Sequence, residues 1–176
     1  MKENYESLFV KSLEKLYHDR DRAALAKLRR GLGKKEGTPE MCRYVARFLP
    51  DDAKQYVIER YFLIASLFAL HPEPAARGVS LGKAFRAMAE NSPSVEKRFE
   101  HLLSVDAEDL SGHLRQAVSL AKSKGVRVDF HQLFDDLGKW NYSDRRVQLR
   151  WARDFWGYEK EPTENNNETE SKGDVQ

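Results

Sequence analysis

The stretch VEKRFEHLLSVDAEDLSGHLRQAVSLA, residues 95–121, decides the fold. Its apolar residues recur three, four, seven or eight positions apart. In the first half these are Val95, Phe99, Leu102 and Leu103, and in the second half Leu110, Leu114, Ala117, Val118 and Ala121. Such spacing places apolar side chains on one face of an α-helix. The stretch therefore predicts two amphipathic helices, with Asp106 at the start of the second.

The same helical period recurs along the rest of the chain. It returns in segments 81–88 and 147–155, whereas no segment alternates polar and apolar residues for long enough to predict a strand. The sequence thus predicts an all-α protein, a helical bundle of about nine helices in two small lobes. Their expected ranges are 4–17, 20–31, 39–49, 53–71, 80–90, 94–104, 107–124, 130–139 and 144–156. Residues typical of helix starts precede several of them, namely Thr38, Ser80, Asp129 and Ser143, and either Asp19 or Asp21 begins the second helix.

Composition divides the chain into three parts. The segment HPEPAARG, residues 71–78, holds two prolines and a glycine, and we expect it to separate an N-terminal lobe, 1–72, from a C-terminal lobe, 79–158. Residues 159–176 carry six acidic and two basic residues, a charge of −4, which leaves +6 on the rest of the chain. Because this acidic tail holds a single apolar residue, Val175, we predict that it is disordered.

Cysteine content and hydropathy favour a cytoplasmic protein. The one cysteine, Cys42, excludes a disulfide within the chain and is predicted to be a small core residue. The N-terminus lacks the apolar run of a signal peptide. The longest apolar run, residues 61–70, would span about 15 Å as a helix, half of a bilayer core. It predicts a buried central helix and no membrane contact.

Motifs for catalysis or metal binding are weak. His18 and Asp19 form the dipeptide of one class of metal phosphohydrolases, but no further ligands lie at suitable positions. Asp135 and Asp136 are better interpreted as solvated charges than as metal ligands. The segment GLGKKEGT lacks the spacing of a phosphate-binding loop. We therefore expect neither enzymatic activity nor a metal or cofactor, and we assign the tryptophans at 140, 151 and 156 to core packing.

Basic residues collect in one glycine-rich turn and on several helix faces. In RRGLGKK, residues 29–35, glycines allow close backbone approach while lysine and arginine supply charge and donors. Arg115 and Lys122 are seven residues apart and share a helix face, and Lys83 and Arg86 are neighbours one turn apart. Each group alone is explained as a solvated surface. Together, with acids displaced into the tail, they favour a sequence-independent contact with phosphate backbone.

Four segments carry a resemblance to a known family, namely ALAKLRRGLGK (24–34), SLGKAFRAM (80–88), the segment 95–140 and VQLRWARDFW (147–156). In these segments the sequence resembles the CasB family, the small subunit of the type I-E CRISPR surveillance complex called Cascade. The resemblance implies an all-helical, non-enzymatic subunit without a cofactor. The implied partners are other Cascade subunits, a second copy in a head-to-tail pair, the guide RNA–target DNA hybrid and the displaced single-stranded DNA. Such contacts would stabilise an R-loop, which is a nearly balanced exchange of duplexes.

Nine residues are candidates for binding nucleic acid. Arg29 and Arg30 match the family's arginine pair, and Lys83, Arg86 and Arg98 lie in matching segments. Local chemistry adds Lys34 and Lys35, and the shared helix face adds Arg115 and Lys122. Two alternatives stay open: some of these cations form ion pairs, for instance with Asp106, Glu108 or Asp109, or the chain is a protein-interaction or scaffold subunit without direct nucleic-acid contact.

Overall fold

The computed structural model describes residues 5–73 and 77–157. In these ranges the chain forms nine α-helices and no β-strand, which confirms the all-α prediction. The helices are α1 (Tyr5–His18), α2 (Arg22–Arg29), α3 (Pro39–Val45), α4 (Gln55–Leu70), α5 (Leu81–Ala89), α6 (Pro93–Ser104), α7 (Leu110–Lys124), α8 (Phe130–Gly138) and α9 (Arg146–Trp156). The short 3₁₀ segment Ala46–Phe48 extends α3. The acidic tail and its predicted disorder lie outside the described residues.

Side-chain caps explain where three helices begin. Before α2, the Asp21 carboxylate accepts a hydrogen bond from the N–H of Ala24 at 2.9 Å. Ser80 and Asp129 accept backbone N–H groups in the same way before α5 and α8. Each cap satisfies a donor that has no partner within the helix. The predicted starts of α5 and α8 are confirmed, whereas α2 begins two residues later than expected, after the second of its two candidate residues, Asp21.

Two helix starts differ from the prediction. α7 begins at Leu110 and not near residue 107, because a separate turn precedes it, closed by a 3.1 Å hydrogen bond from Asp109 N–H to the Asp106 carbonyl. α9 does not follow Ser143 directly. Arg145, at a left-handed φ of 50°, intervenes before the helix.

The apolar segment 61–70 forms the centre of the fold, as predicted. In α4, Tyr61, Ile64, Leu67 and Phe68 are all buried, and the helix packs against α1, α2, α3, α7 and α8. Burying side chains of this size stabilises the fold by about 1.5–3 kcal/mol each. Within the described ranges, no helix has the length and apolarity needed to cross a membrane.

The C-terminal helices pack around α5, which contacts α6, α7 and α9. The approach to α9 is close at Gly82, where an added Cβ would collide with the backbone of Trp151. Contacts of α1 with α8, and of α4 with α7 and α8, join the two halves of the chain into one hydrophobic cluster. The division into lobes 1–72 and 79–158 stays a prediction.

Asp136 is fully buried, so its interpretation as a solvated charge is wrong. Its carboxylate accepts hydrogen bonds from the Trp151 indole N–H at 2.6 Å, from the Gln132 amide at 2.9 Å and from the Arg150 guanidinium. The neighbouring Asp135 is part-exposed and pairs with Lys139 at 2.6 Å. Asp136 therefore joins α8 to α9, because three donors converge on its carboxylate.

The tryptophan predictions are confirmed at two positions and wrong at the third. Trp140 is 4 % exposed and Trp151 is fully buried, whereas Trp156 is 44 % exposed. The cause lies in helix geometry. Trp151 and Phe155, four residues apart, occupy the inward face of α9, so the next residue points outward and its indole N–H donates to Glu96 at 2.8 Å.

Cys42 is exposed, so its assignment to the core is wrong. Met41 and Val45, also four residues apart, form the buried face of the short helix α3. The position after Met41 is rotated by about 100° away from that face. The apolar surroundings of Cys42 in the sequence therefore misled the prediction.

Candidate nucleic-acid interface

A groove of about 720 Å³ lies along α7 and is bordered by α6. Arg98 of α6 lines it, together with residues of α7: Gly112, Arg115, Gln116, Ser119, Leu120 and Ser123. We call these seven residues the basic groove. Its lining combines two guanidinium groups with hydroxyl and amide groups, and among the described residues no acidic side chain belongs to it.

Helix geometry explains why α7 presents this surface. The α7 residues that line the groove lie three, four, seven, eight or eleven positions after Gly112 and therefore share one face of the helix. Leu114, Val118 and Ala121 face the core. Lys122, seven residues after Arg115, projects beside them and is exposed. The two positions are about 10 Å apart along the helix. The prediction that they share a face is confirmed by the continuous helix.

The glycine-rich turn between α2 and α3 borders the basic groove. Gly33, at a left-handed φ of 79°, approaches α7 so closely that an added Cβ would lie 3.7 Å from Arg115 Nη1. Gly37, at φ 68°, lies against the ring of Phe62 in α4, where a Cβ would collide. The turn is thus held by glycine against the central helix, and its lysines, Lys34 and Lys35, are exposed.

Five of the nine predicted cations are exposed without a partner in the described part of the chain. No hydrogen bond or ion pair within residues 5–73 and 77–157 holds these side chains, which are Lys34, Lys35, Arg98, Arg115 and Lys122. We call them the groove cations. They come from three separate elements, namely the α2–α3 turn, α6 and α7. Their donors remain available to an anionic ligand as far as residues 5–73 and 77–157 are concerned.

The arginine pair of the turn has structural partners instead. Arg29 Nε donates to the Ala69 carbonyl at 2.9 Å, near the C-terminal end of α4, where carbonyls lack partners within the helix. Arg30 pairs with Glu40 at 2.9 Å on the surface. Ion pairing was one of the open alternatives, although Glu40 was not among the acids named for it. The contribution of both arginines to ligand binding stays a prediction.

Lys83 and Arg86 lie away from the basic groove, on the outer face of α5. Lys83 Nζ donates to the Gly78 carbonyl at 3.1 Å, and Arg86 donates to the Gly157 carbonyl at 3.3 Å, just after α9. Neither side chain belongs to the groove lining among the described residues. The structure thus brings Arg98 and Arg115 together in one groove, with Lys122 on the same face of α7 and the turn of Lys34 and Lys35 next to it. The role of the pair on α5 stays a prediction.

No group suited to metal chemistry accompanies these cations. In the described ranges, His, Cys, Asp and Glu side chains do not gather in groups of three or more that could hold a metal ion. The rings of His101 and His113 meet edge to face with centroids 4.8 Å apart, beside the groove. Asp19, of the His18–Asp19 dipeptide, pairs with Lys15 at 2.7 Å.

Sequence reasoning missed the polar residues of the basic groove. Gln116, Ser119 and Ser123 carry no charge and therefore gave no signal in a search for basic clusters. A signal was nevertheless present, because polar residues recur on α7 opposite its apolar stripe and in line with Arg115. Arg98 was found, but its approach to α7 depends on how two helices pack.

Comparison with known proteins agrees with this architecture. The model of the family described as CRISPR-associated protein Cse2 matches residues 24–156, a range that includes the turn, the groove and α9. The chain belongs to the Cse2 family. A Cse2 protein from Thermus thermophilus is 38% identical over 151 residues, which cover 85% of this chain and 88% of that protein.

Solved structures of relatives have the same fold. The crystal structure of CasB from Thermus thermophilus superimposes with a TM-score of 0.76 at 37% identity and covers 87% of this chain and 98% of its own. A chain in a structure described as a CRISPR RNA-guided surveillance complex gives a TM-score of 0.70 at 27% identity, over 86% of this chain and 91% of its own. The Cse2 fold therefore extends over nearly all described residues.

Proposed function

We propose that this Cse2-family chain is a non-enzymatic subunit of a CRISPR surveillance complex, Cascade, and that its basic groove binds nucleic-acid backbone. Membership of the complex is supported by the similar chain found in a CRISPR RNA-guided surveillance complex. The observation that carries the binding site is the presence of Arg98 and Arg115 in one groove, which the basic turn approaches at Gly33.

The chemistry of the groove suits phosphate oxygens. Arginine and lysine donate charge-assisted hydrogen bonds, and serine and glutamine side chains supply neutral donors of the kind that contact phosphate and sugar. Arg115 and Lys122 are about 10 Å apart along α7, so they would contact different phosphates of a strand that lies along this helix. Two neighbouring groups could therefore follow one backbone. Such contacts would bind without reading base sequence.

Binding of this kind would stabilise an R-loop. Replacing a DNA duplex by an RNA–DNA hybrid is nearly neutral in free energy, so modest contacts to the hybrid or to the displaced strand can decide the balance. The proposed ligands are therefore the guide RNA–target DNA hybrid and the displaced single-stranded DNA. A second copy of the chain, in a head-to-tail pair, is proposed as a further partner.

The test is binding of the isolated chain to single-stranded DNA at several salt concentrations. Changing Arg98 and Arg115 to Ala removes about two phosphate contacts, so the slope of log K against log salt should flatten by about 1.4. The loss of affinity should be equal for two unrelated DNA sequences. The matched control changes Lys11 and Lys15 to Ala. It removes the same charge from α1, including one exposed pair of small energy.

An unchanged slope in the folded groove variant, or an equal loss in the control, would contradict the groove as the binding site. The second candidate function, that of a protein-interaction subunit, would then be favoured over nucleic-acid binding. One observation favours that candidate. The outer side of α9 and the preceding loop expose Tyr142, Leu149 and Trp156, and aromatic residues of this kind are enriched in protein interfaces.

A further inference from the structure

We propose that the acidic tail, residues 159–176, docks in the basic groove of its own chain and competes there with nucleic acid. The inference rests on the proposed function, because it assigns a second ligand to the same site. It assigns to the tail a binding surface on the folded part of the same chain. Three observations support it: the charges of the two parts, the length of chain available, and the lack of partners for the groove cations.

The charges are complementary in sign and similar in number. The tail carries six carboxylates and two lysines, a charge of −4, and its acids recur two to four residues apart. The groove cations number five and have no acidic partner among the described residues. A run of spaced carboxylates presents negative oxygens along a chain, as a phosphate backbone does. Arginine and lysine form charge-assisted hydrogen bonds with both kinds of anion.

The tail is long enough to reach the groove. It leaves the described structure after Gly157, which follows α9, and nineteen residues remain to Gln176. A flexible chain of that length has an end-to-end distance of roughly 25 Å, and about 60 Å when extended. A folded body of about 150 residues has a radius of gyration of about 15 Å. The groove cations are therefore within reach of the acids beyond Glu161.

The groove is favoured over Lys83 and Arg86, two cations near the end of α9. Lys83 and Arg86 lie close to the end of α9, but their side chains already donate to the carbonyls of Gly78 and Gly157. Part of their donor capacity is therefore already used. Lys34, Lys35, Arg98 and Arg115 have no such contact with the described residues. This difference between the two sets of cations predicts contacts of the tail carboxylates with the groove cations, which can be mapped.

The first experiment maps the contact without DNA. Carbodiimide joins an amine to a carboxylate only when the two are in direct contact, and mass spectrometry identifies the joined residues. We expect links from Lys34 or Lys35 to Glu164, Glu168 or Glu170 at low salt, and their loss at about 0.5 M salt, where the screening length is only a few ångströms. Links from the tail to Lys83 alone, or no links from the tail to the body, would overturn the proposal.

The second experiment measures competition by a double-mutant cycle. At an effective concentration of a few mM, a tail that binds the groove with a Kd of about 1 mM lowers DNA affinity roughly three- to fivefold. A chain ending at Gly157, or a full chain with all six tail acids changed to Asn or Gln, should therefore bind single-stranded DNA roughly three- to fivefold more tightly. In a chain that also carries Arg98→Ala and Arg115→Ala, the increase in DNA affinity on removing or neutralising the tail should shrink towards a factor of one.

The outcomes separate this proposal from the function on which it rests. If neither the full nor the shortened chain binds DNA, the proposed function fails, while the cross-links still report whether the tail docks. If the full and the shortened chain bind DNA with equal affinity, the proposed competition by the tail is wrong, and the proposed function stands. If removing the tail raises DNA affinity by the same factor in the groove variant as in the wild type, the tail acts by general charge repulsion of DNA. That result contradicts docking in the groove.

Discussion

Single residues on α8 illustrate how similar letters in a sequence have different physical roles. Asp135 and Asp136 are adjacent, yet the first is part-exposed beside Lys139 and the second is completely buried against α9. The sequence alone could not separate them, because the difference arises from α9, which delivers the Trp151 indole and the Arg150 guanidinium to one of the two carboxylates. A pattern of local charge contains no information about that approach.

This difference gives a prediction for stability. Changing Asp136 to Ala leaves the buried Trp151 N–H without an acceptor, so we expect the free energy of unfolding to fall by about 1–3 kcal/mol. The neighbouring change Asp135→Ala removes only a part-exposed pair and should cost about 0.5 kcal/mol. Urea denaturation of both variants measures the difference. Equal losses would mean that the buried carboxylate does not hold α8 against α9.

At the scale of helices, the same substitution should have opposite effects at two glycines. Gly82→Ala in α5 places a Cβ against the backbone of Trp151, so α5 and α9 must separate and the protein should lose at least about 1 kcal/mol of stability. Gly112→Ala in α7 meets nothing within 4 Å and should gain about 0.5–1 kcal/mol from helix propensity. Thermal melts of the two variants provide the comparison. A stabilised Gly82→Ala protein would contradict the close packing of α5 on α9.

The contact between α8 and α1 should depend on pH. Burial lowers the pKa of His131, and the nearby charge of Arg77 lowers it further, while Glu14, 3.4 Å away, and Asp129 oppose the shift. The unfolded chain, with a pKa of about 6.5, then binds more protons than the folded chain. Stability should therefore be complete above that pH and fall as the pH drops through about 6.5 towards the lowered value.

The variant His131→Gln should remove part of this dependence, and the exposed His101→Gln should leave it unchanged. The measurement is the urea midpoint about one pH unit above and one below the ordinary histidine pKa for each protein. The same loss on acidification in all three would show that His131 does not titrate between the folded and unfolded states in the way its burial requires.

At the scale of the whole molecule, the helices could be predicted from sequence and the site only in part. Periods of about 3.6 residues and cap residues such as Ser80 and Asp129 are local signals, so α5 and α8 begin where they were expected. The approach of Gly33 to Arg115 joins positions that are far apart in the chain and depends on how α4 packs between them. For the same reason, the sequence did not distinguish Arg30, which pairs with Glu40, from Lys34, which has no partner among the described residues.

The proposed contact between the basic groove and nucleic-acid backbone can be measured within a surveillance complex. Its most direct test is the lifetime of an R-loop in a reconstituted complex, with Lys34, Lys35, Arg98 and Arg115 all changed to Ala. If the four side chains contribute at least about 1.4 kcal/mol, the R-loop should dissociate at least about tenfold faster at low salt, for any target sequence, and the difference should shrink as salt rises. The Lys11→Ala and Lys15→Ala complex should behave as the wild type. An unchanged lifetime in a fully assembled groove variant would mean that the groove does not hold the nucleic-acid backbone.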